Sequence, residues 1–210
     1  MNIRSLSQQI YAFIVEEIRV GNIQLGQKIN ENELLEKLPT SRTPIREALI
    51  QLASAGILEN IPRKGFFVRQ VSSETMREHY RVIALLDFYA LKLAIPHLKE
   101  KDYRKMSDIL DDLDAAIANQ DHPAYHRLAD SFHTCYYKLS GNNSLPGIIF
   151  DIRNQCLLTT YSSQDKGKLF ALLRENNLEH RRMLELAKEN RLEELEALLV
   201  SHWAKADTYL

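Results

Sequence analysis

Cys135 and Cys156 are the only cysteines in 210 residues, and neither has the paired spacing of a structural metal site or a disulfide framework. Both read as small buried apolar residues. Long hydrophobic runs are missing too. The longest, such as Val82–Leu86, fall far short of the ~20 residues a membrane-spanning helix needs. The opening Met-Asn-Ile-Arg-Ser leads into a polar amphipathic helix instead of an apolar signal core, so a cytoplasmic location with no membrane partner is expected. His-Glu-x-x-His, a Gly-rich phosphate loop and a nucleophile elbow are all absent, which removes the common signatures of enzymes; a metal-dependent enzyme stays only as a remote alternative. No internal repeat is visible.

What is present is an ordinary globular balance, 45% hydrophobic and 26% charged, in a chain long enough for two domains. The net charge of −1 hides an asymmetry: residues 1–72 carry nine Lys/Arg against seven Asp/Glu, and the remainder 18 against 21. Between Thr40 and Gln70 the bias sharpens, with Arg42, Arg46, Arg63, Lys64 and Arg69 facing only Glu47 and Glu59. A local basic patch is the electrostatic footprint of a nucleic-acid partner.

Apolar residues at helical spacing predict a first helix from Ser5 to Val20, stopped by Gly21. Asn30 three residues before Glu33 has the form of a capping box and opens a short helix ending before Pro39. A third helix begins at Thr43-Pro44, with proline at its first position, and closes at Gly56. Two short β-rich runs, Ile57–Ile61 and Phe66–Arg69, flank the turn Pro62-Arg63-Lys64-Gly65 and predict a hairpin. After Val71 the pattern is helical throughout, with helices expected near 73–95, 100–119, 123–140, 144–161, 168–189 and 191–207. A loop is expected from Ser162 to Gly167. The fold class is therefore mostly α: an N-terminal winged helix-turn-helix, of three helices and a β-hairpin wing, over residues 1–71, followed by an all-α helical bundle over 72–210.

A recognition helix presents polar side chains at its N-terminal end, where it enters the major groove. Arg42 and Arg46, four apart, share one face opposite Ile45, Ala48, Leu49 and Leu52. Arginine suits bidentate contact with guanine or phosphate. Ser41 and Thr43 near the helix start suit phosphate binding, and Arg63, Lys64 and Gly65 at the wing tip can reach phosphate or minor groove. The competing reading is a solvated face with Arg46 paired to a nearby glutamate.

The block Ser41-Arg42-Thr43-Pro44-Ile45-Arg46-Glu47-Ala48-Leu49, followed by Pro62-Arg63-Lys64-Gly65-Phe66-Phe67-Val68, resembles the GntR family of bacterial regulators over residues 5–70. The resemblance implies that Arg42, Thr43, Arg46 and Gly65 contact an operator in double-stranded DNA, bound by a homodimer acting as a transcription regulator, most often a repressor. Asn32 occupies a position often held by arginine, a departure expected to alter base preference.

In the helical region His133, His180 and His202 each fall on a helix with an apolar face, and imidazoles from facing helices can build a metal site in a bundle core. The alternative is three structural or solvent-facing histidines; His79, His97, His122 and His126 read as surface or capping residues. Phe132-His133, Ser140-Gly141-Asn142, Glu179-His180 and His202 together resemble the FCD ligand-binding domain of the FadR branch of that family. This implies a divalent transition metal (Zn, Ni or Mn) held by three histidines and an aspartate, with a small organic acid effector beside it. The family's aspartate lies four residues before the first histidine. Ala129 stands there in this chain, so Asp130, three before, becomes the expected fourth ligand. The family's usual arginine four residues before an acidic one is replaced by Ile83 before Asp87. Arg153 and Asn142 are the expected effector contacts, with an outward salt bridge as the other role open to Arg153. Two further readings remain open: a polar pocket that binds an organic acid without metal, and a metal that is itself the signal.

Overall fold

The computed structural model describes residues 5–19, 21–156 and 166–205. Two compact units divide the chain, the first holding the residues up to Ser72 and the second Ser73–Arg153 with the residues from Lys166 on. Val20, the end of the seventh helix as expected to 161, residues 162–165 of the loop expected from Ser162 to Gly167 and the last residues of the final helix as expected to 207 lie outside the described residues; Lys166 and Gly167, expected in that loop, instead open a helix.

The first unit is a winged helix-turn-helix. Helix α1 spans Leu6–Arg19, α2 Glu31–Lys37 and α3 Arg42–Ser54; strands β1 (Leu58–Ile61) and β2 (Gly65–Val68) pair antiparallel, with Leu58 opposite Val68 and Ile61 opposite Gly65. Its core is the set that helical spacing picks out: Ile10, Ile14 and Ile18 from α1, Leu34 from α2, and Ile45, Ala48, Leu49 and Leu52 from α3. Lys28 forms an isolated bridge to Phe67, tying the segment before α2 to the wing.

Two local expectations are corrected. Helix α3 begins at Arg42, with Ser41 as its N-cap, so Pro44 is its third residue, not its first. That position is still compatible with proline, because the N–H groups of a helix's first turn have no intrahelical partner. Asn30 does cap α2, but its side chain accepts from the Asn32 N–H, and its amide donates to the Glu33 carboxylate at 2.9 Å. The reciprocal backbone bond of a capping box is not formed there.

The second unit is all helical among the described residues. Helices α4 (Ser73–Ala94), α5 (Glu100–Ala118), α6 (His122–Tyr137), α7 (Leu145–Cys156), α8 (Lys166–Lys188) and α9 (Leu192–Ala204) follow in order, with one 3₁₀ turn at Ile95–His97 where Pro96 ends α4. Helix α4 packs on α9 and α6, α5 on α6 and α8, and α8 on α9. This arrangement brings single residues of α4, α6, α8 and α9 to one interior point. Cys156 is buried and Cys135 half-buried, and the two do not form a disulfide. His126, expected at the surface, is instead buried, its Nε2 at 3.0 Å from that of His122 one turn earlier.

Candidate metal and DNA-reading sites

From Val82 helix α4 reads Val-Ile-Ala-Leu-Leu-Asp-Phe-Tyr-Ala-Leu, and the one acid of that run, Asp87, is fully buried. An ionised carboxylate in such a place needs partners. The Tyr136 hydroxyl donates to Oδ1 at 2.5 Å, the Trp203 indole N–H donates to Oδ2 at 2.8 Å, and His133 Nδ1 lies 3.2 Å from Oδ2. Burial opposes ionisation, but His133 alongside and these hydrogen bonds outweigh it and hold the Asp87 carboxyl at about 2. Since the single hydroxyl hydrogen of Tyr136 goes to Asp87, the 2.5 Å contact between His133 Nδ1 and the Tyr136 oxygen requires the imidazole proton on Nδ1. His133 Nε2 is thereby left with its lone pair. Burial drives the His133 pKa down, against the pull of Asp87.

A second carboxylate does the same for His202. Glu179 Oε2 is 2.7 Å from His202 Nδ1, and Lys205 Nζ donates to Oε1 at 2.6 Å. Burial would raise the Glu179 pKa, but the bonds from His202 and Lys205 hold it below the usual carboxylate range. The ionised carboxylate assigns the proton to His202 Nδ1 and frees Nε2.

His180 completes the group. It is 2% exposed, and neither ring nitrogen has a hydrogen-bond partner among the described residues. Burial, reinforced by the neighbouring His202, His133 and Arg153, pushes its pKa well down, so it is neutral near pH 7. One ligating atom from each of His133, His180 and His202 lies within 4.8 Å of the others. This donor set fits a transition metal: three buried imidazoles, two of them oriented through Nδ1 by carboxylates or a phenol, and the third with no hydrogen-bond partner among the described residues.

Asp130 does not join this group. Its side chain is 37% exposed and accepts from Arg153 Nη2 at 2.5 Å. Three residues before His133 on a helix of 100° per residue, it projects off the histidine's axis toward Arg153, and it lines a cleft of about 540 Å³ between α5 and α6. Arg153 also lies over the Trp203 ring at 5.2 Å, on the residue whose N–H holds Asp87, and its side chain is only 15% exposed. The outward salt bridge considered for Arg153 therefore exists, with Asp130, on a side chain that is largely covered. Asn142 is exposed, and its Oδ1 accepts from the Ser144 and Leu145 N–H groups, which holds the turn leading into α7. Sequence reasoning missed Asp87, Tyr136, Glu179 and Trp203. A lone acid inside an apolar helical run was the available signal for Asp87.

In the first unit the expected DNA contacts gather around one cleft of about 650 Å³, lined by Asn32, Arg42, Arg46, Arg63, Lys64 and Gly65 together with Lys28 and Glu31. Ser41 and Thr43, outside that lining, are exposed at the N-terminus of α3, where Ser41 makes no capping bond. Gly65 has φ +98, as its turn requires, and Arg63 at the tip has φ +65, a region where side chains other than glycine carry strain. Arg46 Nε donates to Glu31 at 2.9 Å, and Arg42 Nη2 donates to the Asn32 side-chain oxygen at 3.3 Å. The glutamate partner considered for Arg46 is thus present, within the cleft itself.

Among the described residues, no helix is long and apolar enough to cross a membrane. Residues 6–68 match the bacterial regulatory proteins of the gntR family, and residues 60–205 match the FCD domain. The uncharacterized HTH-type transcriptional regulator YdhC of Bacillus subtilis is 27% identical over 199 residues, covering 93% of this chain and 86% of that protein. A probable D-xylose utilization operon transcriptional repressor of Paenarthrobacter nicotinovorans is 28% identical over 141 residues, 67% of this chain and 62% of its own length. The solved structure of E. coli McbR/YncC superposes with a TM-score of 0.84 at 23% identity, over 97% of this chain and 95% of that one, and has the same fold. With a winged helix-turn-helix matched by one family, a helical bundle matched by the other, and regulators among its relatives, this chain belongs to the GntR family of bacterial regulatory proteins, carries an FCD domain, and is a transcription regulator, not an enzyme.

Proposed function

We propose that the chain is a cytoplasmic homodimeric repressor whose operator affinity is set by a small carboxylate bound in the FCD domain beside a divalent transition metal. Residues 1–71 serve as the DNA-binding domain and 72–210 as the effector-binding and dimerisation domain. The observation that carries the metal part is the His133–His180–His202 group with both nitrogens of His180 unbonded. When bound, a Zn, Ni or Mn ion supplies a Lewis-acidic centre for an anionic effector. Asp87 and Tyr136 fix the His133 ring, Glu179 fixes that of His202, and Arg153 places a guanidinium next to the group. In the first unit Arg42, Arg46, Ser41, Thr43 and Asn32 meet the major groove, while Arg63, Lys64 and Gly65 meet the backbone or minor groove.

Dimerisation is supported by α4. Val82, Leu85 and Tyr89, at i, i+3 and i+7, are 43%, 57% and 48% exposed along one face. An apolar helical stripe of this kind is the seam through which two copies pack. Paired copies present two recognition helices to the halves of a pseudo-palindromic operator.

The test is operator binding by the full untagged protein, on a duplex selected from a random pool. Affinity is measured metal-free, with Zn, Ni or Mn alone, and with the metal plus each of a panel of small mono-, di- and hydroxycarboxylates. A shift of 5- to 150-fold, the usual range of allosteric coupling, is expected only when a carboxylate is added. If the metal alone produces the whole shift, the metal is the signal. If no addition changes affinity, the effector reading fails.

A further inference from the structure

The two arginines of α3 do not hang free in the cleft. Each is held by a residue of the first turn of α2, Arg46 by Glu31 and Arg42 by Asn32. The Glu31 side chain is 27% exposed and that of Arg46 62%, so the pair lines the cleft while staying open to solvent. Glu31 bonds only Nε of Arg46, so the two terminal nitrogens remain available as an end-on fork of the kind that spans guanine O6 and N7. Asn32 presents an acceptor to Arg42 where arginine is common in the family, replacing a like charge with a hydrogen-bond partner.

We infer that Glu31 and Asn32 are positioning residues of the reading surface, and that Glu31 makes Arg46 a reader of guanine instead of a phosphate clamp. This rests on α3 being the recognition helix. Two physical effects combine. A guanidinium anchored at Nε has its fork pre-aimed, so less freedom is lost on contact with a base edge. A carboxylate alongside cancels much of its attraction for any phosphate, so sequence-independent binding weakens while the base contact keeps its geometry. Glu31 itself is an acceptor suited to a cytosine N4 amino group, the partner of the guanine.

The experiment compares the full-length parent with Glu31→Gln, on its selected duplex and on a scrambled duplex of equal length, across a series of salt concentrations. Removing the charge is expected to tighten binding to the scrambled duplex several-fold and to steepen the slope of log affinity against log salt by up to about one unit. The ratio of selected to scrambled affinity should fall by about tenfold or more. An unchanged ratio overturns the inference, whether both affinities fall together, as for a merely structural residue, or neither moves. Arg46→Ala separates this from the underlying reading. If it leaves the ratio intact, α3 is not reading bases through Arg46. If it collapses the ratio, Glu31→Gln on top of it should do nothing further, and a further fall shows that Glu31 acts independently of Arg46. Asn32→Ala is expected to lower the ratio at the base pairs that Arg42→Ala affects and at no others; an effect at a different pair removes Asn32 from the proposal.

Discussion

The Trp203 indole N–H donates to the Asp87 carboxylate at 2.8 Å, joining residues 116 positions apart. That bond closes a polar chain through the apolar interior: Arg153 lies over Trp203, Trp203 and Tyr136 hold Asp87, and Asp87 with Tyr136 orients His133. Apart from the Tyr136–His133 contact within α6, each link joins different helices, so the chain fixes α4, α6, α7 and α9 about one point.

Asp87→Asn should therefore act twice. Replacing a carboxylate that accepts two bonds with an amide leaves a buried donor facing a donor, and a loss of about 2–4 kcal/mol in denaturant unfolding is expected. Through His133, metal affinity should fall by about 10- to 100-fold. Wild-type stability in the variant would mean that Asp87 is not held as described.

His180→Leu gives a result of unusual sign. In metal-free protein it removes two buried ring nitrogens that have no partner, so thermal unfolding should shift upward, by about 1 kcal/mol of stability. Added Zn, Ni or Mn should stabilise the parent and leave the variant unmoved. A variant that metals stabilise as well as the parent would remove His180 from the ligand set.

Asp130→Ala separates the sequence expectation from the structure. Because the carboxylate is bonded to Arg153 and partly exposed, metal content should stay at the parental level. Loss of metal in this variant would restore Asp130 as a ligand.

Leu85→Glu places a charge in the apolar stripe of α4. Sedimentation should show a monomer with native helix content, and operator affinity should drop steeply because two half-sites are no longer engaged by one particle. A dimeric variant would move the seam elsewhere.

Much of this was legible in the sequence because it is local. Helix periodicity, the Pro-Arg-Lys-Gly wing tip and the arginine pair at i, i+4 depend on near neighbours, and the three histidines stood on helices whose apolar faces must point inward. Asp87 was not legible as a support, since its partners Tyr136 and Trp203 lie 49 and 116 positions away and only packing brings them to it. Asp130 could not be placed for the same reason: spacing along α6 gives its direction roughly, but the position of Arg153 on α7 decides where the carboxylate goes. Asn142, expected as an effector contact, has its side-chain oxygen engaged in a local turn of the kind Asn commonly makes to the backbone N–H two residues on.

The most direct test of the account is elemental analysis of untagged parent protein and His180→Leu, purified side by side and incubated with Zn, Ni and Mn before gel filtration. About one transition metal per chain in the parent and none in the variant is the predicted result. Equal metal content in the two, or none in the parent after all three incubations, would contradict it.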